Sequence, residues 1–224
     1  MHNPETTVAT IFGTAASGKD TALDQLQPDP FYYRIVNSTT RSPRPGEVSG
    51  SDYYFISEAQ HATHVEAGEY LTHTHANDRY YGVLHSELTK AKSAAALPIG
   101  HFGIEDHKTL WRKNDEQELC VRSLLLLTPS FDTWNARMQA RLQTGFIRQD
   151  EFSRRAQGAV DELHFALGAI DRFIPIISDT PVSVKNQINA HFKGGQPPAT
   201  ETERVVTLID QFERFIDEQE TTHG

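Results

Sequence analysis

Gly13-Thr14-Ala15-Ala16-Ser17-Gly18-Lys19 narrows the folds open to this chain more than any other stretch. It follows Val8-Ala9-Thr10-Ile11-Phe12, a β-branched and aromatic run, and precedes Ala22, Leu23 and Leu26 at helical spacing. Strand, glycine loop and helix in that order match the first seven positions of GxxxxGK[ST]. In that pattern glycines let backbone N–H groups curl around a polyphosphate, the lysine sets a point charge near the β- and γ-phosphates, and the helix presents its positive end. Residues 13–21 are therefore expected to hold a nucleoside triphosphate. The eighth position departs from the pattern: Asp20 stands where a Ser or Thr hydroxyl normally meets Mg²⁺, and Thr21 follows one place later. A carboxylate there repels the triphosphate unless a cation lies between, so Asp20, directly or through water, or Thr21 is expected to hold Mg²⁺. The plain alternative is a helix-start Asp that only complements the dipole.

The rest of the chain reads as one α/β domain with insertions. At 224 residues and 38% hydrophobic composition it can build one sizeable core with a small inserted lobe. A formal net charge of -9 argues against nucleic acid as a partner. The single cysteine, Cys120, beside the apolar run 124–127, reads as a buried thiol compatible with a reducing cytoplasm. No stretch approaches the roughly 18 apolar residues of a membrane span, so no membrane partner is expected and a cytoplasmic setting is. His61, His64, His73, His75, His85, His101 and His107 form no metal-binding pattern such as HExxH.

Strands are predicted over 32–36, 53–56, 70–73, 80–84, 98–102, 121–127 and 173–177. Helices are predicted over 57–66, 106–113, 149–170 and 182–192, with a further helix opening after Pro129, capped by Ser130 and carrying Arg137 and Arg141. The expected organisation is a central parallel sheet in 1–36 and 85–193, with a lid at about 137–160. A partly antiparallel lobe occupies 37–84, and a Gly/Pro linker with a final helix fills 194–224. On that helix Val205, Val206, Leu208, Ile209, Phe212, Phe215 and Ile216 form an apolar stripe, expected to pack on the core or on a second subunit of a homodimer.

Residues 38–55 read Ser-Thr-Thr-Arg-Ser-Pro-Arg-Pro-Gly-Glu-Val-Ser-Gly-Ser-Asp-Tyr-Tyr-Phe. This segment closely resembles the acceptor-binding segment of guanylate kinases, and the loop at 13–21 stands at the matching distance before it. The resemblance implies the three-layer P-loop fold, an acceptor-binding lobe and a helical lid. It also implies that Arg41 and Arg44 clamp an acceptor phosphate while Tyr53 and Tyr81 add hydroxyl donors. Tyr80-Tyr81-Gly82 fits a second family motif, 128–130 with Arg137 and Arg141 the start of the lid, and 151–163 with Arg155 its exit. Ser178-Asp179 takes the place of the family's Asn-Asp, and the likeness covers about residues 8–192. By resemblance Lys19, Arg137, Arg141 and Arg155 neutralise the migrating phosphoryl group. Arg148 and Arg154 read equally well as a solvated helix face.

The base-reading positions differ. Where guanylate kinases place an acidic residue and an Asp-x-Asp pattern, this chain has Thr72 and His101-Phe102-Gly103, with Val83 and Asn37 replacing serines. Asp20 after the loop lysine, His75-Ala76-Asn77 and Tyr80-Tyr81-Gly82-Val83 resemble instead the ribose 1,5-bisphosphate phosphokinase branch of the same superfamily. The expected activity is ATP-dependent transfer of the γ-phosphoryl group, with Mg²⁺, to the phosphate of GMP, dGMP or another nucleoside monophosphate. The alternatives are ribose 1,5-bisphosphate as acceptor, or a nucleotide-binding regulator without turnover.

Overall fold

The computed structural model describes residues 7–44, 46–76, 78–194 and 201–222. The polar start of the chain (1–6), Asn77 of the His-Ala-Asn motif and linker residues 195–200 lie outside the described residues. In chain order β1 (Thr7–Phe12) leads into α1 (Lys19–Leu26), β2 (Tyr32–Arg34), β3 (Ser38–Thr39), β4 (Tyr54–Phe55), α2 (Glu58–Glu66), β5 (Tyr70–Ala76) and β6 (Arg79–Leu84). Next come α3 (His85–Ser93), β7 (Leu97–His101), α4 (Ile104–Asp115), β8 (Cys120–Leu127) and α5 (Phe131–Gln143). The chain continues through α6 (Gln149–Gly168), β9 (Phe173–Ile177), α7 (Pro181–Lys193) and α8 (Thr202–Thr222).

Five strands form the central sheet in the order β2-β7-β1-β8-β9, and a four-stranded sheet has the order β4-β3-β6-β5. β2 runs parallel to β7 and β8 parallel to β9. The smaller sheet is mixed, with β3 parallel to β4 and β6 antiparallel to both β3 and β5. The chain divides into two compact units, one built from the stretch ending at Thr10 with Gln27–Val121, the other from Ile11–Leu26 with Arg122 onward.

Local chemistry accounts for most of these elements. Leu124 to Leu127 of β8 are at most 2% exposed, the continuous apolar run of a strand covered on both faces. Ser57 and Gln60 form a reciprocal capping box at α2, Ser130 Oγ accepts from Thr133 N–H at α5, and Pro181 opens α7 where its missing N–H costs nothing. Helix α3 is an element the sequence pattern does not predict. Only Glu87 and Ala91 of its nine residues are buried and its N-cap, Leu84, makes no side-chain bond, so neither an apolar stripe nor a cap marks it. On α8, Val205, Leu208, Ile209 and Phe212 are at most 4% exposed, whereas Val206 is 40% exposed and turns away from the stripe. The buried face meets α5 and α6 of its own unit, with the Phe212 ring 4.6 Å from Trp134 and Phe215 6.1 Å from Phe152. Cys120 is buried as a free thiol. Among the described residues no helix is long and apolar enough to cross a membrane.

In the first unit Val8, Ile35, Leu71, Val83, Phe102, Leu110 and Leu119 form a hydrophobic cluster. Beside it His107 of α4 is fully buried between Thr10 Oγ1 and Gly103 O, each 2.9 Å away. A carbonyl can only accept, so Nδ1 carries the proton and Nε2 accepts from the Thr10 hydroxyl. Burial pushes the His107 pKa down to about 4, while an unfolded imidazole protonates near pH ~6.5. The unfolded chain therefore binds the extra proton between these values. This group's contribution is complete above the unfolded pKa and lost as pH falls toward the folded one, an effect of ~3 kcal/mol. Urea midpoints measured from pH 7 to 4.5 should fall steeply in the wild type and less steeply in His107→Gln; equal slopes would remove His107 as the cause.

Candidate functional site

The phosphate loop lies in the second unit, between the end of β1 and α1. Gly13 has φ +149° and Gly18 φ +97°, and Ala16 sits at φ +60°, a left-handed value costly for a residue with a Cβ. Gly13 is also a close approach: a Cβ there would lie 2.4 Å from Leu126 O and 2.9 Å from Ser17 Oγ. Four successive carbonyls of the loop are taken by side chains. Lys19 Nζ donates to Gly13 O and to Thr14 O, Trp134 Nε1–H to Ala15 O at 2.8 Å, and Arg137 Nη1 to Ala16 O at 3.1 Å. Ser17 Oγ is buried with no hydrogen-bond partner among the described residues. Asp20 and Thr21 are exposed on the first turn of α1.

The charges around the loop interact. Burial lowers the Lys19 pKa below its ordinary value; Glu162 and Asp20 oppose that shift, and Arg141 and Arg155 add to it. Burial raises the Glu162 carboxyl, against the pull of Lys19 and Arg155. Arg137 also donates to Ser178 Oγ and Ser178 O, at 3.1 and 2.6 Å. Arg155 is held by Glu151 at 2.6 Å, and the Arg141 guanidinium lies 5.6 Å from the Phe146 ring centroid. Arg148 and Arg154 are 81% and 63% exposed and pair with Asp150, a solvated face. Alongside the loop runs a cleft of about 430 Å³, whose lining includes Gly18, Thr21, Arg137, Arg141, Asp179 and Pro181. Its size and its place beside the loop suit the nucleoside half of a nucleotide.

The residues expected to bind the acceptor lie in the first unit. Arg41 and Glu47 form a two-point pair at 2.9 and 2.8 Å, and Glu47 also accepts from Arg44 N–H at 2.7 Å. The bonds to Glu47 raise the Arg41 pKa, and the same contact lowers the Glu47 carboxyl. The Arg41 guanidinium stands 5.4 Å from the Tyr53 ring centroid, and Tyr53 is 6.3 Å from both the Tyr81 and the His101 rings. Tyr53 OH reaches His101 Nε2, and Asn37 Nδ2 donates to His101 O, both at 3.4 Å. The structure thus gathers Asn37, Arg41, Tyr53, Tyr81 and His101, with Arg44 exposed nearby in sequence. Buried Glu87 braces the group, accepting from Val36 N–H at 2.9 Å and Tyr54 OH at 3.3 Å, the neighbours of Asn37 and Tyr53.

Thr72 and Val83 are 3% and 1% exposed, Val83 within the hydrophobic cluster. Thr72 Oγ1 donates to Asp106 Oδ1 at 2.6 Å, and Gly103 N–H donates to Asp106 Oδ2 at 3.1 Å. Burial raises the Asp106 carboxyl pKa, which these two bonds oppose. Glu105, by contrast, is exposed and paired with Lys108. Sequence reasoning singled out neither Trp134 nor the cleft residues Thr180, Pro181 and Val184. A usable signal existed for the latter, since they follow the carboxyl end of a core strand, where ligands bind in open α/β sheets.

Comparison with known proteins adds four findings. The family model described as guanylate kinase matches residues 5–108. A guanylate kinase of Trichormus variabilis is 30% identical over 171 residues, covering 75% of this chain and 80% of that protein. Another, from Cereibacter sphaeroides, is 33% identical over 157 residues, covering 68% and 71%. The crystal structure of guanylate kinase from Anaplasma phagocytophilum shares the fold with a TM-score of 0.63 at 19% identity, covering 86% of this chain and 88% of that one.

Because the Gly13 backbone presses on Leu126 O, Gly13→Ala should displace the loop and raise the Kd for Mg-ATP by ~100-fold. Calorimetric titration measures this; near wild-type affinity would mean the close approach is not needed.

Proposed function

The chain belongs to the guanylate kinase family, and we propose that it transfers the γ-phosphoryl group of ATP to the phosphate of GMP, giving ADP and GDP. One observation supports this reading: the chain has two constellations suited to phosphate, the loop at 13–19 and the Arg41–Tyr53–Tyr81 group. A single phosphate site would suit hydrolysis or sensing, whereas two suit transfer.

The acceptor phosphate is already an anionic nucleophile at neutral pH, so no side-chain base is required. The backbone N–H groups of the loop bind the β- and γ-phosphates, and Lys19, held by the Gly13 and Thr14 carbonyls, supplies a positive charge beside them. Arg137, Arg141 and Arg155 supply positive charge where the phosphoryl group migrates, the contribution this loose transition state needs most. Arg41 presents a planar fork to the acceptor phosphate in place of Glu47, and Arg44, Tyr53 and Tyr81 add donors. Among the described residues no group of three or more His, Cys, Asp or Glu side chains could hold a metal. Mg²⁺ takes one or two protein oxygens and fills its remaining positions from phosphate and water. The exposed Asp20 carboxylate and Thr21 hydroxyl fit as those oxygens. Mg²⁺ bound there would offset charge on the triphosphate.

For the base, Thr72 and His101 stand where the family has carboxylates and Asn37 where it has a serine, and Asp106 accepts from the Thr72 hydroxyl. We assign guanine to this subsite, with the buried carboxylate orienting the Thr72 hydroxyl so that its oxygen faces the base as an acceptor. A cytoplasmic setting, where ATP and GMP are both present, suits the reaction.

A coupled assay over GMP, dGMP, AMP, UMP and ribose 1,5-bisphosphate should give its highest kcat/KM with GMP. Turnover of ribose 1,5-bisphosphate without GMP would overturn the assignment. Arg41→Ala should raise the KM for GMP by ~10- to 100-fold with the KM for ATP unchanged, as expected for one lost charged phosphate clamp. An unchanged KM for GMP would remove Arg41 from the clamp.

A further inference from the structure

Helix α8 contributes none of the residues lining the cleft, yet one side chain joins it to the phosphate loop. Phe212, 1% exposed, meets the Trp134 indole edge to face, with ring centroids 4.6 Å apart and planes at 71°. Phe131 stacks on the indole at 5.7 Å and touches Phe212 at 5.0 Å, and Phe152 meets the indole at 5.8 Å. The indole is fully buried on α5, and its Nε1–H donates to Ala15 O at 2.8 Å across 119 positions of sequence.

That bond falls at the most demanding point of the loop. Ala16, the next residue, has φ +60°, a value that a residue with a Cβ keeps only where its surroundings over-determine it. Trp134 holds the carbonyl before Ala16, and Arg137 holds Ala16 O itself at 3.1 Å. Arg137 also faces the cleft, so its bond can be exchanged when ligand arrives. Trp134 is buried and can only donate, which makes its bond a permanent restraint. Its direction depends on the indole plane, and the indole plane is set by the three phenylalanine rings, one of which belongs to α8.

We propose that α8 is a working part of the nucleotide site: by packing Phe212 on Trp134 it fixes the indole N–H that turns the Ala15 carbonyl outward and keeps the loop's N–H groups directed at the phosphates. Trp134 is on this account a positioning residue, and Phe212 acts through it. The proposal rests on the reading of residues 13–19 as the ATP cradle, and it is independent of which acceptor is used.

The test is an equilibrium calorimetric titration of Mg-ATP, without acceptor, into the full-length wild type, Trp134→Phe, Phe212→Leu and the double variant, with the melting temperature of each recorded. Trp134→Phe should raise the Kd by ~10-fold, the worth of one well-placed hydrogen bond. Phe212→Leu should raise it about threefold in the wild-type background and cause no further rise in Trp134→Phe, since its effect passes through the indole. Loss of stability alone would instead lower the melting temperature of both variants without moving the Kd of the folded protein. Site-specific replacement of Trp134 by β-(3-benzothienyl)alanine keeps the bicyclic shape and removes only the N–H. It should reproduce the weaker binding even if Trp134→Phe folds poorly. Wild-type affinity in the benzothienyl protein, or an equal effect of Phe212→Leu with and without Trp134, would overturn the proposal. Transfer to GMP does not enter this readout, so a wrong acceptor assignment leaves it intact, whereas a wild-type protein that fails to bind Mg-ATP overturns both.

Discussion

The carbonyl groups of residues 13–16 are each held by a side chain, and most of the proposed chemistry depends on that fact. Lys19 takes the first two, Trp134 the third and Arg137 the fourth. A peptide's N–H and C=O point to opposite sides, so fixing the carbonyls on one side presents the amides on the other, where a polyphosphate can be received. The arrangement needs glycine at 13, because Leu126 O leaves no room for a Cβ. It needs a strand end at that carbonyl, which the buried leucines of β8 supply, and an indole anchored from behind, which α5 and α8 supply. The core of the second unit is in this sense a support for seven residues of loop.

Electrostatics follows the same logic. The chain is acidic as a whole, with a formal net charge of -9, yet Lys19, whose pKa burial lowers, has Arg141 and Arg155 near it as well as the counter-charges Glu162 and Asp20. Bringing cations together in partly buried surroundings is unfavourable until an anion joins them, which favours a ligand carrying several negative charges. On the acceptor side the Arg41 fork is met by Glu47, a carboxylate with the same two-point geometry that a phosphate offers. Glu47 and Glu151 already order the Arg41 and Arg155 guanidinium groups, so in the proposed reaction phosphate binding would exchange one partner for another with the cost of ordering those side chains already met.

What the sequence displayed and what it hid differ by distance along the chain. The loop, the segment at 38–55 and the strands at 121–127 and 173–177 are contiguous, and their glycines, arginines or β-branched runs state their chemistry within a few residues. Helix α3 was hidden because it has neither cap nor apolar stripe, and its one decisive residue, Glu87, looks like a surface charge until Val36 and Tyr54 are seen to bond to it. The Trp134–Ala15 bond spans 119 positions and the Thr72–Asp106 bond 34, and no local pattern announces either. Val206 illustrates the reverse error: it shares the hydrophobicity of its neighbours but lies off the buried arc of α8, and only the helix's packing reveals it.

The claim that residues 13–19 form the nucleotide cradle, with their amides turned inward by the held carbonyls, is tested most directly by following the backbone amides. ¹⁵N–¹H spectra recorded while a non-hydrolysable Mg-ATP analogue is added should show the amides of residues 15, 16, 18 and 19 moving downfield together and gaining protection from exchange, as hydrogen bonds to phosphate form, while the Ser17 amide keeps its bond to Thr14 O. Saturable binding that leaves these amides unchanged would contradict the account.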